Sequence, residues 1–194
     1  MSTPSSAPLS STVKLENTAL SLVLMSCPGV RVIDGTRIAS EQHLNEDLSR
    51  LCGRNVRLML SCLTEGELLL GKAAYQDAAN RHGIAWRMIA IPDMSAPTGE
   101  NEEALEEAFA AARSVFALGG AVAIHCLAGL GRTGTVAARL AMEYGLTSAE
   151  AIAFLRDRHD SKTVETIEQE THLRNLDAGS AHRATQPGRP RQPE

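Results

Sequence analysis

Five residues separate Cys126 from Arg132 in the segment His125-Cys126-Leu127-Ala128-Gly129-Leu130-Gly131-Arg132-Thr133. The segment follows an apolar run, Ala121-Val122-Ala123-Ile124, and opens a helical pattern over 134–144. A strand, a glycine-bearing turn and a helix N-terminus together make an anion cradle. A loop this short can curl until its backbone N–H groups point at one centre, with Gly129 and Gly131 supplying the freedom the curl needs. At one end Arg132 offers a planar fork that grips two oxygens of a tetrahedral oxyanion, which a lysine cannot do. At the other end Cys126 offers a nucleophile, because an electropositive cradle favours the thiolate. An anion held between these two groups is held in order to be attacked. The chemistry that fits is a two-step phosphoryl transfer through a phosphocysteine.

The other loop residues have lesser parts. His125, Leu127, Ala128, Gly129, Leu130, Gly131 and Arg132 are expected to surround the phosphate, with His125 orienting the loop through its ring rather than serving as a base. Thr133 can give a hydroxyl hydrogen bond to the sulfur, helping it leave in the second step. A buried structural cysteine beside a loop arginine is the plainer reading of the same residues, and the strand-to-helix setting with Arg132-Thr133 argues against it. Neither a dinucleotide-binding G-x-G-x-x-G nor a Walker A motif is present.

An alkoxide or phenolate leaving group needs a proton in the first step. Asp93 is the candidate acid. The apolar run over 86–91 reads as a strand, Pro92 stops it, and Asp93 opens the next loop. In a parallel sheet that loop shares an edge with Cys126. A solvated turn aspartate reads equally well from Pro92-Asp93 alone, and Glu100, further along the same stretch, is the second candidate.

These groups need a frame. The chain has 194 residues, 43% of them hydrophobic, which suits one domain with a full core. Expected limits are a domain over 13–176, a disordered Ser/Pro-rich start over 1–12, and a disordered tail over 177–194. Only 3% of residues are aromatic, so aliphatic side chains must fill the core. A net charge of −4 advertises neither nucleic-acid nor anionic-membrane binding. The four cysteines, Cys27, Cys52, Cys62 and Cys126, have no metal-ligand or disulfide spacing, so no metal or cofactor is expected. The run over 20–25 is too short for a membrane span, and no basic leader precedes it. A monomer in a reducing cytoplasm is the expected state.

Strands are expected over 19–25, 30–33, 56–61, 86–91 and 121–124, and helices over 40–51, 72–81, 101–118, 134–144, 147–158 and 164–176. Their alternation predicts an α/β fold: a mostly parallel central sheet of about five strands flanked by helices, with the last helices packed as a small bundle.

With these residues in place, the chain resembles the cysteine-dependent dual-specificity and tyrosine protein phosphatases, and within them the cyclin-dependent kinase-associated phosphatase family. The resemblance rests on Ser26-Cys27-Pro28-Gly29, Thr64-Glu65-Gly66-Glu67-Leu68, Ile91-Pro92-Asp93, the stretch from Ile124 to Thr133, and Thr166-Ile167-Glu168-Gln169. It implies a protein tyrosine phosphatase-like fold, Cys126 as nucleophile, Arg132 as phosphate clamp, Asp93 as general acid and Thr133 as support for thiolate departure. The acid loop departs from the relatives: Pro92-Asp93-Met94-Ser95-Ala96-Pro97 lacks the glycines that follow their aspartate.

The expected substrate is a phosphoprotein. The loop interior has no lysine to meet the extra phosphates of an inositol or lipid. The only tyrosines, Tyr75 and Tyr144, fall in expected helices, so no aromatic loop deepens the cleft for phosphotyrosine alone. A shallow pocket accepting phosphotyrosine, and phosphoserine or phosphothreonine as well, follows. Two readings compete with it: a phosphate-recognising module without turnover, and a phosphatase of non-protein phosphate esters. Gln169 is a candidate for orienting the hydrolytic water, against the alternative of a solvated helix glutamine. Cys62 is either plain core or a trap for an oxidised Cys126. Trp86 reads as a core or rim anchor. The remaining histidines, among them His159, read as surface residues.

Overall fold

The computed structural model describes residues 9–184, with side chains through Asp177. In chain order the elements are β1 (Ser10–Lys14), β2 (Ser21–Met25), β3 (Val30–Ile33), β4 (Thr36–Ala39), α1 (Glu41–Gly53), β5 (Val56–Ser61), α2 (Gly71–Arg81), β6 (Ala85–Met88), α3 (Glu102–Ala117), β7 (Ala121–His125), α4 (Gly131–Glu143), α5 (Ser148–Arg158) and α6 (Ile167–Ala184). The main sheet has the order β1-β2-β7-β5-β6. β2, β7, β5 and β6 run parallel, and β1 is antiparallel to β2. All five residues of β7 are buried, as a strand covered on both faces requires. α1 and α2 pack together, and α3 lies on β5 and β7. α4 lies on β2 and β7, and α4, α5 and α6 pack on one another as the expected small bundle. The fold is the α/β architecture read from the alternation. Among the described residues no helix is long and apolar enough to cross a membrane.

The helices follow their local chemistry. α1 starts where Ser40 accepts a hydrogen bond from the His43 N–H, and it buries the stripe Leu44, Leu48 and Leu51. α5 starts at the Thr147–Glu150 capping box, with Thr147 N donating to Glu150 Oε2 at 2.8 Å. α3 buries Leu105, Phe109, Ala112 and Phe116, the periodic face visible in its sequence.

Several boundaries differ from the expectations. Residues 10–12, expected to be disordered, belong to β1. Only Val13 of that strand is buried, and it is the ladder to β2, Ser10 opposite Met25 through Lys14 opposite Ser21, that holds it. Residues 30–33 form a strand outside the main sheet. β3 pairs with β4 around Asp34 and Gly35, whose φ of 49° and 78° are the left-handed pair of a type I′ hairpin. The tail expected from 177 onward instead continues α6 to Ala184, and the Asp177 carboxylate accepts the Ser148 N–H at 2.9 Å, capping α5. The remaining expectations of disorder, over 1–8 and 185–194, lie outside the described residues.

One buried ion pair fixes the segment that leaves β2 for the hairpin. Arg31 donates to both oxygens of Asp47, at 2.8 and 2.7 Å, with the two side chains 4% and 1% exposed. Gly29 N donates to the same carboxylate at 2.9 Å. Gly29 has φ +83°, and a Cβ there would lie 2.9 Å from Leu44 Cβ, so only glycine lets the chain pass α1 so closely. Two residues earlier, Cys27 N donates to Leu127 O at 3.1 Å, so this anchor is also a wall of the Cys126 loop. Asp47→Ala leaves a buried arginine without its partner, and urea unfolding should show a loss of about 3–5 kcal/mol. A loss below about 1 kcal/mol would mean that Arg31 reaches solvent without cost.

Candidate active site

Parallel pairing brings four carboxyl ends to one edge of the sheet. Cys126 follows β7, Cys27 follows β2, the Thr64–Glu67 turn follows β5, and the Asp93 loop follows β6. α4 begins at Gly131, three residues earlier than its apolar pattern predicts, so Arg132 lies in its first turn with the unsatisfied N–H groups of the helix.

In the loop over 126–131 the carbonyls of Leu127, Gly129 and Leu130 face outward, each to a donor. Leu127 O accepts from Cys27 N at 3.1 Å. Gly129 O accepts from His159 Nε2 at 2.8 Å. Leu130 O accepts from Gly134 N at 2.9 Å and Val164 N at 3.4 Å. A planar peptide that sends its carbonyl out sends the next N–H in, so the outer donors are what aim the inner ones. Gly129 N points at Cys126 Sγ from 3.3 Å. Gly129 has φ +86°, and a Cβ there would lie 2.6 Å from the backbone of Met25 and Ser26. At Gly134 a Cβ would meet Thr163 Cγ2 at 2.4 Å, so the segment that leads into α6 packs directly on the loop's helix. His159, expected at the surface, is half-buried because the loop needs its ring.

Arg132 is the hub. Its side chain is 2% exposed. It donates to Glu67 Oε2 and Oε1 at 2.8 and 2.9 Å, to the Ile91 carbonyl at 2.9 Å, and pairs with Asp93 Oδ1 at 2.9 Å. Glu67 is itself fixed, since Thr64 N and Oγ1 donate to its Oε2 at 2.9 and 2.8 Å. Burial pushes the Glu67 carboxyl up, but Arg132 and the Thr64 donors outweigh it and hold it below its ordinary value. Burial likewise opposes the Arg132 charge, and Glu67 with Cys126 restores it. Sequence reasoning placed Glu67 only within a family resemblance and gave it no part. The available signal was its place three residues after Thr64, the capping-box spacing that holds it.

His125, expected among the residues around the phosphate, is instead fully buried behind the loop, where its ring bonds protein groups. Its Nε2 bonds Ser61 Oγ, which accepts from Trp86 Nε1 at 2.7 Å, and its Nδ1 faces Cys126 O at 3.4 Å. Burial pushes the ring down to about 4, so it is neutral at neutral pH. A neutral ring satisfies the chain if Nδ1 carries the hydrogen and Ser61 donates to Nε2. Trp86 is therefore a core anchor tied to the loop. Burial holds the thiols of Cys27 and Cys62 protonated, Cys27 pushed up to about 12 and Cys62 well above its ordinary value.

Asp93 is 69% exposed and reaches over the loop to Arg132. The strand before it is shorter than expected: β6 ends at Met88, and Ile91 N turns back to Ile89 O at 2.9 Å, which swings Pro92-Asp93 over Cys126's edge. Glu100, the second candidate acid, is exposed in the 3-10 turn Gly99–Asn101. Gln169 is 1% exposed, so it is no solvated helix residue. Its Oε1 accepts from Glu165 N at 2.9 Å, and its Nε2 donates to Ser95 O at 3.1 Å. Thr133 Oγ1 is buried and has no hydrogen-bond partner among the described residues, so the bond to sulfur expected of it is not made here.

A family model described as "Polymorphic toxin system, DSP-PTPase phosphatase" matches residues 34–146, more than half of the chain. Tyrosine-protein phosphatase CDC14 of Saccharomyces cerevisiae is 30% identical over 128 residues, which are 63% of this chain and 21% of the yeast protein. The chain thus matches only a minor part of that relative's length. A crystal structure of kinase associated phosphatase, with serine in place of its catalytic-site cysteine, superposes with a TM-score of 0.74 at 24% identity, over 92% of this chain and 97% of that one. A mutant form of Tk-PTP superposes with a TM-score of 0.66 at 25% identity, over 89% and 97%.

The buried His125 makes stability depend on acid. An exposed histidine takes its proton near 6.5, whereas His125 resists it to about 4. Between these values the unfolded chain binds the extra proton, so stability falls as pH drops through this window, by about 3 kcal/mol at its lower end. Urea unfolding of the native chain and of His125→Asn across the window checks this, the variant showing the shallower slope.

Proposed function

Because this chain belongs to the DSP-PTPase phosphatase family of that model, we propose that it hydrolyses phosphate monoesters on protein side chains through a phosphocysteine. The observation that carries the reading is the rigid Arg132 fork, held by Glu67 at 2.8 and 2.9 Å, facing a cradle headed by Cys126. In the first step Cys126 Sγ attacks phosphorus in line and an S–P bond forms. The ester P–O bond breaks, and Asp93 gives its proton to the leaving oxygen. Arg132 and the inward N–H groups hold the equatorial oxygens, whose charge is the same before and after the transfer but better matched midway. In the second step a water oxygen attacks phosphorus and gives its proton to the Asp93 carboxylate. The S–P bond breaks and its electron pair returns to sulfur. The unpaired Thr133 hydroxyl is the donor assigned to that sulfur. Gln169 Nε2 has a second hydrogen besides the one on Ser95 O, and we assign it to the attacking water.

Ion pairing of Asp93 with Arg132 has a consequence for the first step. The pair must open for a phosphate to reach the fork, and opening turns the Asp93 carboxyl toward the leaving oxygen. The loops that ring the site, over 62–70, 89–101 and 126–131, carry no Phe, Tyr or Trp, so nothing in them builds a deep aromatic cleft. This supports phosphoserine and phosphothreonine as substrates beside phosphotyrosine. The loop's lack of lysine disfavours polyphosphorylated lipids.

Release of phosphate from an aryl phosphate in chelator tests the reading. Cys126→Ser should abolish turnover while phosphate still binds; turnover retained by that variant would exclude the phosphocysteine. A native chain that binds phosphoprotein without turnover would instead be a recognition module. Asp93→Asn should slow esters with poor leaving groups by about 100- to 10,000-fold and those with good ones far less. Equal slowing on both would move the acid to Glu100.

A further inference from the structure

The acid loop is not free at its far side. Three successive residues after Asp93 are bonded, through their backbones, to the first turn of α6. Met94 O accepts from Thr166 Oγ1 at 3.2 Å. Ser95 O accepts from Gln169 Nε2 at 3.1 Å. Ala96 N donates to Glu168 Oε1 at 3.0 Å. These contacts bridge 72 to 74 residues of chain, so local folding cannot supply them.

The loop needs such support. Pro92 to Ser95 forms a tight turn closed by Ser95 N on Pro92 O at 3.2 Å, with Met94 at its third position and a φ of +60°. Glycine or asparagine is the usual residue there, and methionine pays for the left-handed backbone in Cβ contacts. A strained turn persists only where its surroundings over-determine it, and here the surroundings are Thr166, Glu168 and Gln169. The base of this clasp is equally firm. Gln169 Oε1 accepts from Glu165 N, Gln169 N donates to Thr166 Oγ1 at 3.1 Å, and Val164, just before the turn, holds a φ of +62° while bonding the phosphate loop at Leu130 O. One short segment, 163–169, thus touches both the helix that carries Arg132 and the loop that carries Asp93.

We infer that Thr166 and Glu168 are positioning residues for the general acid, clasping the Asp93 loop over the phosphate loop. The inference rests on Asp93 being the acid. In this chain hydrogen bonds from α6 set the backbone of the acid loop in place before substrate arrives, while the exposed Asp93 side chain stays free to leave Arg132. Glu168 acts through an acceptor oxygen and not through its charge, so glutamine at that position keeps the clasp.

Two measurements separate this from a general structural role. The first is leaving-group dependence. Glu168→Ala and Thr166→Val should each slow an unactivated alkyl phosphate by about 10-fold or more while changing a nitrophenyl phosphate by less than about 3-fold, since only the former needs the proton. Glu168→Gln and Thr166→Ser should restore the alkyl rate. The second is amide exchange by NMR. The Ala96 N–H should be protected in the native chain and in Glu168→Gln, and should exchange freely in Glu168→Ala. Equal slowing on both substrates, no rescue by glutamine, or Ala96 exchange indifferent to position 168 would each overturn the clasp. The exchange result needs no turnover, so it stands or falls separately from the Cys126→Ser test of the mechanism.

Discussion

The buried guanidinium of Arg132 is the interaction on which the site depends. A charge with only 2% of its side chain exposed is stable only when partners offset its lost hydration. Here they come from two loops: Glu67 from the turn after β5, and the Ile91 carbonyl and Asp93 from the segment after β6. The arginine itself comes from the first turn of α4. Satisfying one cation therefore fixes the loops after β5 and β6 relative to the start of α4. The two oxygens of Glu67 orient the fork, and the exposed Asp93 is the one partner able to withdraw without leaving the charge alone.

The loop over 126–131 obeys a related constraint. Its inward N–H groups have value only while its carbonyls stay outward, and those of Leu127, Gly129 and Leu130 are met by groups distant in the chain: Cys27, His159 and Val164. Below the loop, the chain Trp86–Ser61–His125 replaces water with fixed dipoles in a wholly buried space. The rigidity of the cradle is thus a property of its outer contacts. The same logic extends to the acid loop, where α6 supplies outer partners for Met94, Ser95 and Ala96.

What was legible in the chain follows from how locally each feature is encoded. The segment from Cys126 to Arg132 is contiguous, so its residue types, its glycines and its strand-to-helix setting could be read together. β5 and β7, buried runs with clear ends, were equally plain. β1 was not, because one buried valine gives no pattern and its stability lies in the ladder to β2. The hairpin of β3 and β4 carried an Asp34-Gly35 signal, but nothing in its sequence says that it stands outside the main sheet. α4 began early because the phosphate loop and the helix share residues.

The amino-acid sequence by itself held the groups of the proposed chemistry: a cysteine and an arginine at loop spacing, with an acid after a strand, are what a phosphoryl transfer through sulfur needs. Only the tertiary structure decided how that chemistry is held. Glu67 meets Arg132 across 65 residues, His159 meets Gly129 across 30, and Glu168 meets Ala96 across 72. Single hydrogen bonds at such separations leave no periodic trace in a chain, since they depend on where the parallel strands and packed helices bring their ends together.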